Sequence, residues 1–446
     1  MSGQSPNRPT VSESLAGRLA APVLAEDRNR AAMCVLDWAG CAVAGAASPA
    51  GRAMRAAVGD EGGLQPVLYT GALGNVLEMD DVDKRALLHP GPVVMPAALA
   101  AGELAEADAA AFLNGVVRGY EAVIRIGRAV GPDHYRYWHN TGTCGPFGAA
   151  AAAASIFDLD AEKTVWALGL AGTQASGFWQ VRHEPRSFAK QLHTARAAHA
   201  GLTAAQLAKH GFVGLRTILE GPQGFFAATC GDADPRRVVD VDAEAAWAIH
   251  DVSVKPWPAC RHAHAAIDAA LALREEGAAP ADIDKIVIRT YRDAVVFCDN
   301  PSPEDVLSAK FSLQHAVAVA LARGAPSLAD FEGAALTDDE LAGLRARTAV
   351  VEDETFTERY PARFGTAVSV ALKEGGARSV EIPDALGDPE NPAPRDMVLA
   401  KAKMLMAAGG MADQNADALI DAALALTAEG GSVAAFSRLL KAGVLS

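Results

Sequence analysis

Apolar residues recur at helical spacing along most of the first 270 residues, and this periodicity constrains the fold more than any other feature. One face of a helix that begins near Asp108 is marked by Phe112, Val116, Tyr120, Val123 and Gly127. Residues 160–163 predict another helix start, because acidic residues there precede an apolar run. Aromatic residues make up only 6% of the chain, and alanine dominates its apolar fraction, so helices can pack closely. These features predict a mainly α protein.

The pattern changes after residue 270. Residues 283–291 are rich in Ile and Val and alternate as a strand does. Residues 366–372 alternate again, 373–376 supply a turn, and 378–382 can return as the second strand of a hairpin. Between these strands, 309–322 predicts a helix.

A segment dense in Pro, Gly, Asp and Asn, 383–394, is typical of a linker, and helical sequence follows it. A chain of 446 residues also exceeds the usual size of one hydrophobic core. We therefore predict a large all-helical domain with an inserted smaller α+β lid domain. The helical domain takes residues 1–270 and 391–446, and the lid domain takes 271–390.

Charge and cysteine usage exclude several classes of partner and site. The 40 Lys and Arg residues against 54 Asp and Glu give a net charge of −14, which argues against nucleic acid or an anionic membrane as a partner. The six cysteines form no Cys-x-x-Cys pair, so no zinc knuckle or iron–sulfur motif is indicated. The longest apolar stretch, 147–157, is too short for a membrane span, and the first residues lack a signal core. We expect a cytoplasmic protein.

Two clusters are basic within this acidic chain. Residues 182–196 contain Arg182, His183, Arg186, Lys190, His193 and Arg196 against the single acid Glu184. This cluster suits an anionic ligand, although a solvated helix face is an equal alternative. In 255–264, His262 and His264 are two residues apart and could form a zinc pair, but no third ligand is near in the sequence. One of these two histidines is expected to be structural.

Two further clusters carry groups for acid–base chemistry. His139 is followed by Thr141 and Thr143 just before an alanine-rich helix, where backbone amides could hold a carboxylate. A helix cap with a buried histidine is the alternative. Residues 78–91 bring Glu78, Asp80, Asp81 and His89 near one turn, where neighbouring carboxylates can tune each other's pKa. Asp80 and Asp81 could equally cap the next segment.

Seven motifs in this order resemble the MmgE/PrpD family, which includes 2-methylcitrate dehydratase, cis-aconitate decarboxylase and iminodisuccinate epimerase. The motifs are Leu77-Glu-Met-Asp-Asp81 with His89-Pro-Gly91, Gly119-Tyr-Glu121 with Arg125-Ile-Gly127, His139-Asn-Thr-Gly-Thr143, Lys190-Gln-Leu-His193, Leu219-Glu-Gly221 with Gly224-Phe225, Lys255-Pro-Trp-Pro-Ala-Cys260 with His264, and Lys310-Phe-Ser312. The resemblance covers nearly the whole chain.

The resemblance implies a homodimer that acts on a small-molecule carboxylate without metal or organic cofactor. The catalytic positions it implies are Glu78, Asp81, His89, His139, Lys190, His264 and His315. The substrate-binding positions that we predict with them are Thr141, Thr143, Arg182, Arg186, His193, Arg261 and His262. Lys190 would hold a substrate carboxylate or shuttle a proton, and His139 and His264 would act as base and acid.

We therefore expect a cofactor-independent lyase, a dehydratase that acts on a 2-hydroxy di- or tricarboxylate similar to 2-methylcitrate. Decarboxylation or epimerisation of a related acid is the close alternative, because one scaffold can host several reactions. A metal-dependent lyase using His262 and His264 is a third. A non-catalytic carboxylate-binding homologue is a fourth, since Val82 replaces a hydroxyl residue and His315 stands where some members carry Tyr.

Overall fold

The computed structural model describes residues 8–58, 65–184, 186–240 and 245–445, and these residues are mainly helical, as predicted. Their α-helices are α1 (Val11–Leu19), α2 (Ala25–Ala46), α3 (Pro49–Val58), α4 (Gln65–Leu73), α5 (Gly91–Leu104), α6 (Ala109–Ala129), α7 (Gly131–Tyr135), α8 (Asn140–Ile156), α9 (Ala161–Gly172), α10 (Ala189–Lys209), α11 (Phe225–Thr229), α12 (Arg236–Val239), α13 (His264–Glu275), α14 (Arg292–Cys298), α15 (Val306–Lys310), α16 (Leu313–Arg323), α17 (Asp339–Ala346), α18 (Glu354–Arg359), α19 (Arg395–Ala408), α20 (Asp413–Ala425) and α21 (Val433–Leu445). The strands are β1 (Ile283–Thr290), β2 (Thr348–Glu352), β3 (Thr366–Leu372) and β4 (Ala377–Ile382).

The chain groups into two compact units. The first unit combines Met1–Val252 with Arg395–Ser446, and the second is Ser253–Pro394. Residues 253–270 group with the second unit. The domain boundaries at 270 and 390 remain a prediction from the sequence.

Side-chain caps begin the two helices whose starts the sequence indicated. Asp108 accepts a hydrogen bond from the Ala111 N–H at 2.7 Å and starts α6. Asp160 accepts one from the Lys163 N–H at 2.8 Å and starts α9. Each carboxylate satisfies a backbone donor that the helix leaves unpaired. Both predicted helix starts are confirmed.

Helix α8 is the buried centre of the first unit, and α5, α6 and α10 pack around it. Its sequence is mostly Ala and Gly, so neighbouring backbones approach closely. At Gly201 on α10, a Cβ atom would lie 2.4 Å from the Ala149 Cβ and 2.5 Å from the Pro146 carbonyl oxygen. Glycine is required there because any side chain would push the two helices apart.

No single helix among the described residues has the length and hydropathy of a membrane span. Helices α2 and α3 meet these criteria only when combined, and they are bent by 84° relative to each other.

The second unit contains a four-stranded sheet of order β2-β1-β3-β4. Strands β3 and β4 form the predicted antiparallel hairpin, with Val368 opposite Val380, and β3 also pairs antiparallel with β1. Strand β2, a five-residue edge strand that runs parallel to β1, was not predicted from the sequence. A strand this short carries too little alternation to be recognised without its partner.

Residues 383–394 form neither helix nor strand, as their composition predicted. Contacts of Asp388 nevertheless hold this segment in place within the second unit. Asp388 is fully buried and lies 2.5 Å from an Arg261 guanidinium nitrogen. The Ser253 hydroxyl donates to the same carboxylate at 2.5 Å. Helix α13, which follows Arg261, packs against β3 and β4.

Candidate functional site

The loop between α4 and α5 pairs Glu78 with Lys190. Glu78 adopts a left-handed conformation with φ of 58°, and its buried carboxylate forms an ion pair with the Lys190 ammonium. Lys190 is the second residue of α10, where the helix dipole favours an anion over a cation. An anion beside Lys190 is therefore stabilised by both the ammonium and the helix start. Glu78 supplies that anion in this structure.

Asp80, two residues further along the loop, orients His89. One Asp80 carboxylate oxygen lies 2.7 Å from His89 Nδ1 and accepts a hydrogen bond from the Asn75 amide at 2.8 Å. The backbone N–H of His89 donates to the Thr141 hydroxyl oxygen at 3.0 Å. The ring and the backbone of His89 are thus both fixed.

Asp81 is buried against the start of α5. Its carboxylate accepts hydrogen bonds from the Gly91 N–H at 2.9 Å and from the Tyr120 hydroxyl at 2.6 Å. Burial raises the pKa of Asp81 to about 7, although both hydrogen bonds act in the opposite direction. Asp81 therefore caps α5, which is the alternative that the sequence left open for it, and it titrates near neutral pH.

A buried lysine that the sequence analysis missed supports the same loop. The Lys401 ammonium on α19 lies 2.6 Å from an Asp37 carboxylate oxygen and donates to the Met79 carbonyl oxygen at 2.6 Å. Met79 is the residue between Glu78 and Asp80. The available signal was that Lys401 lies on the apolar face of α19, because a lysine at such a position is rarely buried without a partner.

His139 lies where two short extended segments pair. Its backbone N–H donates to the Gly177 carbonyl at 2.9 Å, and the Trp179 N–H donates to the Tyr137 carbonyl at 2.9 Å. The His139 ring consequently packs on Trp179, with centroids 4.7 Å apart. Its Nδ1 lies 3.2 Å from Nδ1 of His193 on α10.

Burial and a neighbouring positive charge keep the His139 imidazole neutral. Burial lowers the pKa of His139 well below its ordinary value, and the positive charge of Lys190 lowers it further. Burial and Lys190 also lower the pKa of His193. His139 is 1% exposed, and its Nε2 has no hydrogen-bond partner in the part of the chain that the structure describes. Buried polar atoms without a partner are rare in proteins, and a catalytic role is one explanation for them.

The two predicted substrate-binding threonines are both buried, and both hydroxyls are engaged. The Thr141 oxygen accepts the His89 N–H, and the Thr143 hydroxyl lies 2.8 Å from His134 Nε2. These contacts orient neighbouring histidines.

Arg182 and Arg186, in contrast, lie in an exposed segment before α10. The Arg182 guanidinium is 5.5 Å from the centroid of the Trp179 ring that packs on His139. Arg182 thus contacts the Trp179 ring that packs on His139, whereas Arg186 is exposed.

In the second unit, Arg261 and His264 form one hydrogen-bonded group. An Arg261 guanidinium nitrogen donates to His264 Nδ1 at 3.1 Å, so His264 Nε2 carries the proton that it donates to the Ala259 carbonyl at 3.1 Å. His264 is fully buried. These contacts fix its tautomer and its ring orientation.

His262 and His315 also have buried, specific surroundings. His262 stacks on Phe364 and lies 2.6 Å from the Tyr291 hydroxyl through Nδ1. His315 Nε2 donates to the Asp330 carbonyl at 2.7 Å, and its Nδ1 accepts from Arg345 at 3.1 Å. The setting of His262 favours the structural role that the sequence analysis expected for one histidine of the 262/264 pair.

The metal-dependent alternative finds little support in the geometry. Among the described residues, the potential ligands close enough to share an ion are the carboxylates of Asp384, Asp388 and Glu390. Neither His262 nor His264 belongs to this group. Asp388 is already paired with Arg261.

Comparisons with known proteins agree with these motifs. The MmgE/PrpD N-terminal domain matches residues 20–238, and the MmgE/PrpD C-terminal domain matches 257–426. Cis-aconitate decarboxylase from Aspergillus terreus is 24% identical over 429 residues, which cover 87% of this chain and 86% of that protein. The cis-aconitate decarboxylase-like protein oryM from Aspergillus oryzae is 33% identical over 168 residues, 36% of this chain and 34% of that protein.

The 2-methylcitrate dehydratase of Escherichia coli is 27% identical over 249 residues, 52% of this chain and 50% of that protein. The chain thus matches about a third of the length of the Aspergillus oryzae protein and half of that dehydratase. The two family domains together match most of the sequence. The chain therefore belongs to the MmgE/PrpD family.

Proposed function

We propose that this protein is a cofactor-independent lyase that removes a proton from carbon next to a carboxylate of a 2-hydroxy di- or tricarboxylate similar to 2-methylcitrate. The observation that carries the proposal is the buried, neutral His139, whose Nε2 has no partner among the described residues and which lies within the field of the Lys190 ammonium. Relatives named 2-methylcitrate dehydratase and cis-aconitate decarboxylase support the same substrate class.

Lys190 is the group that we expect to hold the substrate. A ligand carboxylate would compete with Glu78 for the ammonium and would gain from the start of α10. The bound negative charge would also offset the positive field that lowers the pKa of His139. Substrate binding therefore makes His139 a stronger base at the moment when a base is needed.

Dehydration then follows from ordinary acid–base chemistry. The C–H proton passes to His139, and its electron pair is stabilised by the adjacent carboxylate, whose growing charge Lys190 offsets. The pair forms the double bond as the C–O bond breaks, and the hydroxide takes a proton from an acid and leaves as water. His89, which lies in the same unit as His139, is the candidate for that acid.

Decarboxylation is the second candidate, because the alignment with the Aspergillus terreus cis-aconitate decarboxylase covers 87% of this chain. In that reaction carbon dioxide leaves and a proton is delivered to carbon, so the same imidazoles would act as acids.

The direct test is proton NMR of chelator-treated protein in deuterated buffer with citrate, 2-methylcitrate, cis-aconitate and simpler hydroxy diacids. New vinyl signals with every carbon retained indicate dehydration, released carbon dioxide indicates decarboxylation, and deuterium uptake without net conversion indicates epimerisation. Ligand-induced thermal stabilisation without turnover of any acid would instead support a binding homologue and overturn the proposal.

Two variants test the site. Lys190→Ala and His139→Gln should each lower kcat/KM by about 10²-fold or more, since each removes a group that acts on the transition state. Lys209→Ala and His210→Gln are matched controls at the exposed end of the same helix α10 and should retain activity. Unchanged turnover in both site variants would remove the assignment.

A further inference from the structure

The histidine pair of the first unit constrains where protons can lie. His193 follows Lys190 by three residues on α10, so the two side chains lie on the same face of the helix. Nδ1 of His193 and Nδ1 of His139 are 3.2 Å apart. Since burial lowers the pKa of both rings, both are neutral, and a hydrogen bond between them requires that one nitrogen donates and the other accepts.

The two possible tautomers of His139 differ in free energy. If His193 donates, the proton of His139 lies on Nε2, where it would be a buried donor with no acceptor among the described residues. If His139 donates, its Nε2 carries a lone pair and no hydrogen, so no N–H of that ring is left without an acceptor. Buried donors without an acceptor are the rarer and costlier case. His193 is only half-buried, so its own Nε2–H can be satisfied outside the core.

We propose that His193 is a positioning residue that accepts the Nδ1–H hydrogen bond of His139 and thereby presents the His139 Nε2 lone pair as the base. When His139 takes the substrate proton, this hydrogen bond becomes charge-assisted and stabilises the imidazolium. The role rests on the proposed function. It replaces the substrate contact that the sequence analysis predicted for His193.

The packing around His139 makes the arrangement rigid. The Gly177 carbonyl holds its backbone, and Trp179 covers one side of its ring. The ring therefore cannot turn freely to exchange Nδ1 with Nε2. His193 is the one hydrogen-bond partner of the His139 ring among the described residues, and it decides which nitrogen carries the proton.

The test is a long-range proton–nitrogen NMR correlation on the full chain with labelled histidine, which distinguishes protonated Nδ1 from protonated Nε2. His139→Gln assigns the signal. We expect His139 protonated on Nδ1 in the unaltered chain and a shift toward the Nε2–H tautomer in His193→Phe. A His139 already protonated on Nε2, or a tautomer that His193→Phe leaves unchanged, would overturn the inference.

Kinetics supply the second readout. His193→Phe should lower kcat about 10²-fold with little change in KM, and His193→Asn, which keeps an acceptor near the same place, should recover most of that loss. His210→Phe, at the exposed residue that directly follows α10, is the control. Equal loss in the Phe and Asn variants would refute the positioning role. The NMR measurement needs no substrate, so it decides the inference even if no tested acid is converted and the proposed function fails.

Discussion

Replacing Lys401 by Met tests how the loop that carries Glu78 is supported. Lys401 is 5% exposed and Asp37 is 1% exposed, and they form an ion pair at 2.6 Å. The variant leaves the Asp37 carboxylate buried without its cation. It also removes the donor to the Met79 carbonyl. Breaking a buried ion pair from one side costs about 3–5 kcal/mol.

We expect Lys401→Met to lose about 3–5 kcal/mol of unfolding free energy at neutral pH, measured as a lower urea midpoint. Burial already raises the pKa of Asp37, and removal of the Lys401 charge would raise it further. A folded-state pKa above the unfolded one favours folding at low pH, so the loss should shrink as the pH falls and Asp37 is protonated.

The double variant Asp37→Leu/Lys401→Met is the matched control. It removes both charges, so we expect it to recover most of the loss, leaving only about 1–3 kcal/mol for the unsatisfied Met79 carbonyl. The reasoning is refuted if the single variant is as stable as the unaltered chain, or if the double variant is no more stable than the single one.

Three further predictions concern separate elements. Asp81 has a pKa of about 7 against an unfolded value near 4, so it contributes about 4 kcal/mol to the unfolding free energy at low pH, and this contribution is lost as the pH rises through 7. Asp81→Asn should therefore make the urea midpoint depend less on pH between pH 4 and 8. An unchanged pH dependence of the midpoint would contradict this. Glu106 is exposed and adopts a left-handed conformation with φ of 49°, which glycine tolerates without strain. Glu106→Gly should therefore stabilise the protein by about 1 kcal/mol, measured by thermal melts. A similar gain for Glu106→Ala would exclude backbone strain as the cause. His262→Phe should cost about 1–3 kcal/mol by leaving the buried Tyr291 hydroxyl unpaired, and it should retain most turnover. Abolished turnover in a folded variant would instead support the substrate-binding role predicted for His262.

Elements set by near neighbours in the sequence were predictable. Asp108 and Asp160 start helices because their carboxylates reach backbone donors three residues ahead. The β3–β4 hairpin follows from alternation on both sides of a glycine turn. The edge strand β2 was missed, because its conformation depends on pairing with β1, which is about sixty residues earlier in the chain.

The candidate site likewise combines features that the sequence predicts with contacts that depend on the tertiary structure. The sequence by itself places Glu78, His139, Lys190 and His193 in clusters whose residue types and local spacing predict acid–base and anion-binding chemistry. Only the tertiary structure decided the pairing of Glu78 with Lys190 and of His139 with His193. It also decided that Lys401, 322 residues along the chain from Met79, supports the same loop. Such contacts depend on how helices distant in the sequence pack together, and no local pattern records that packing.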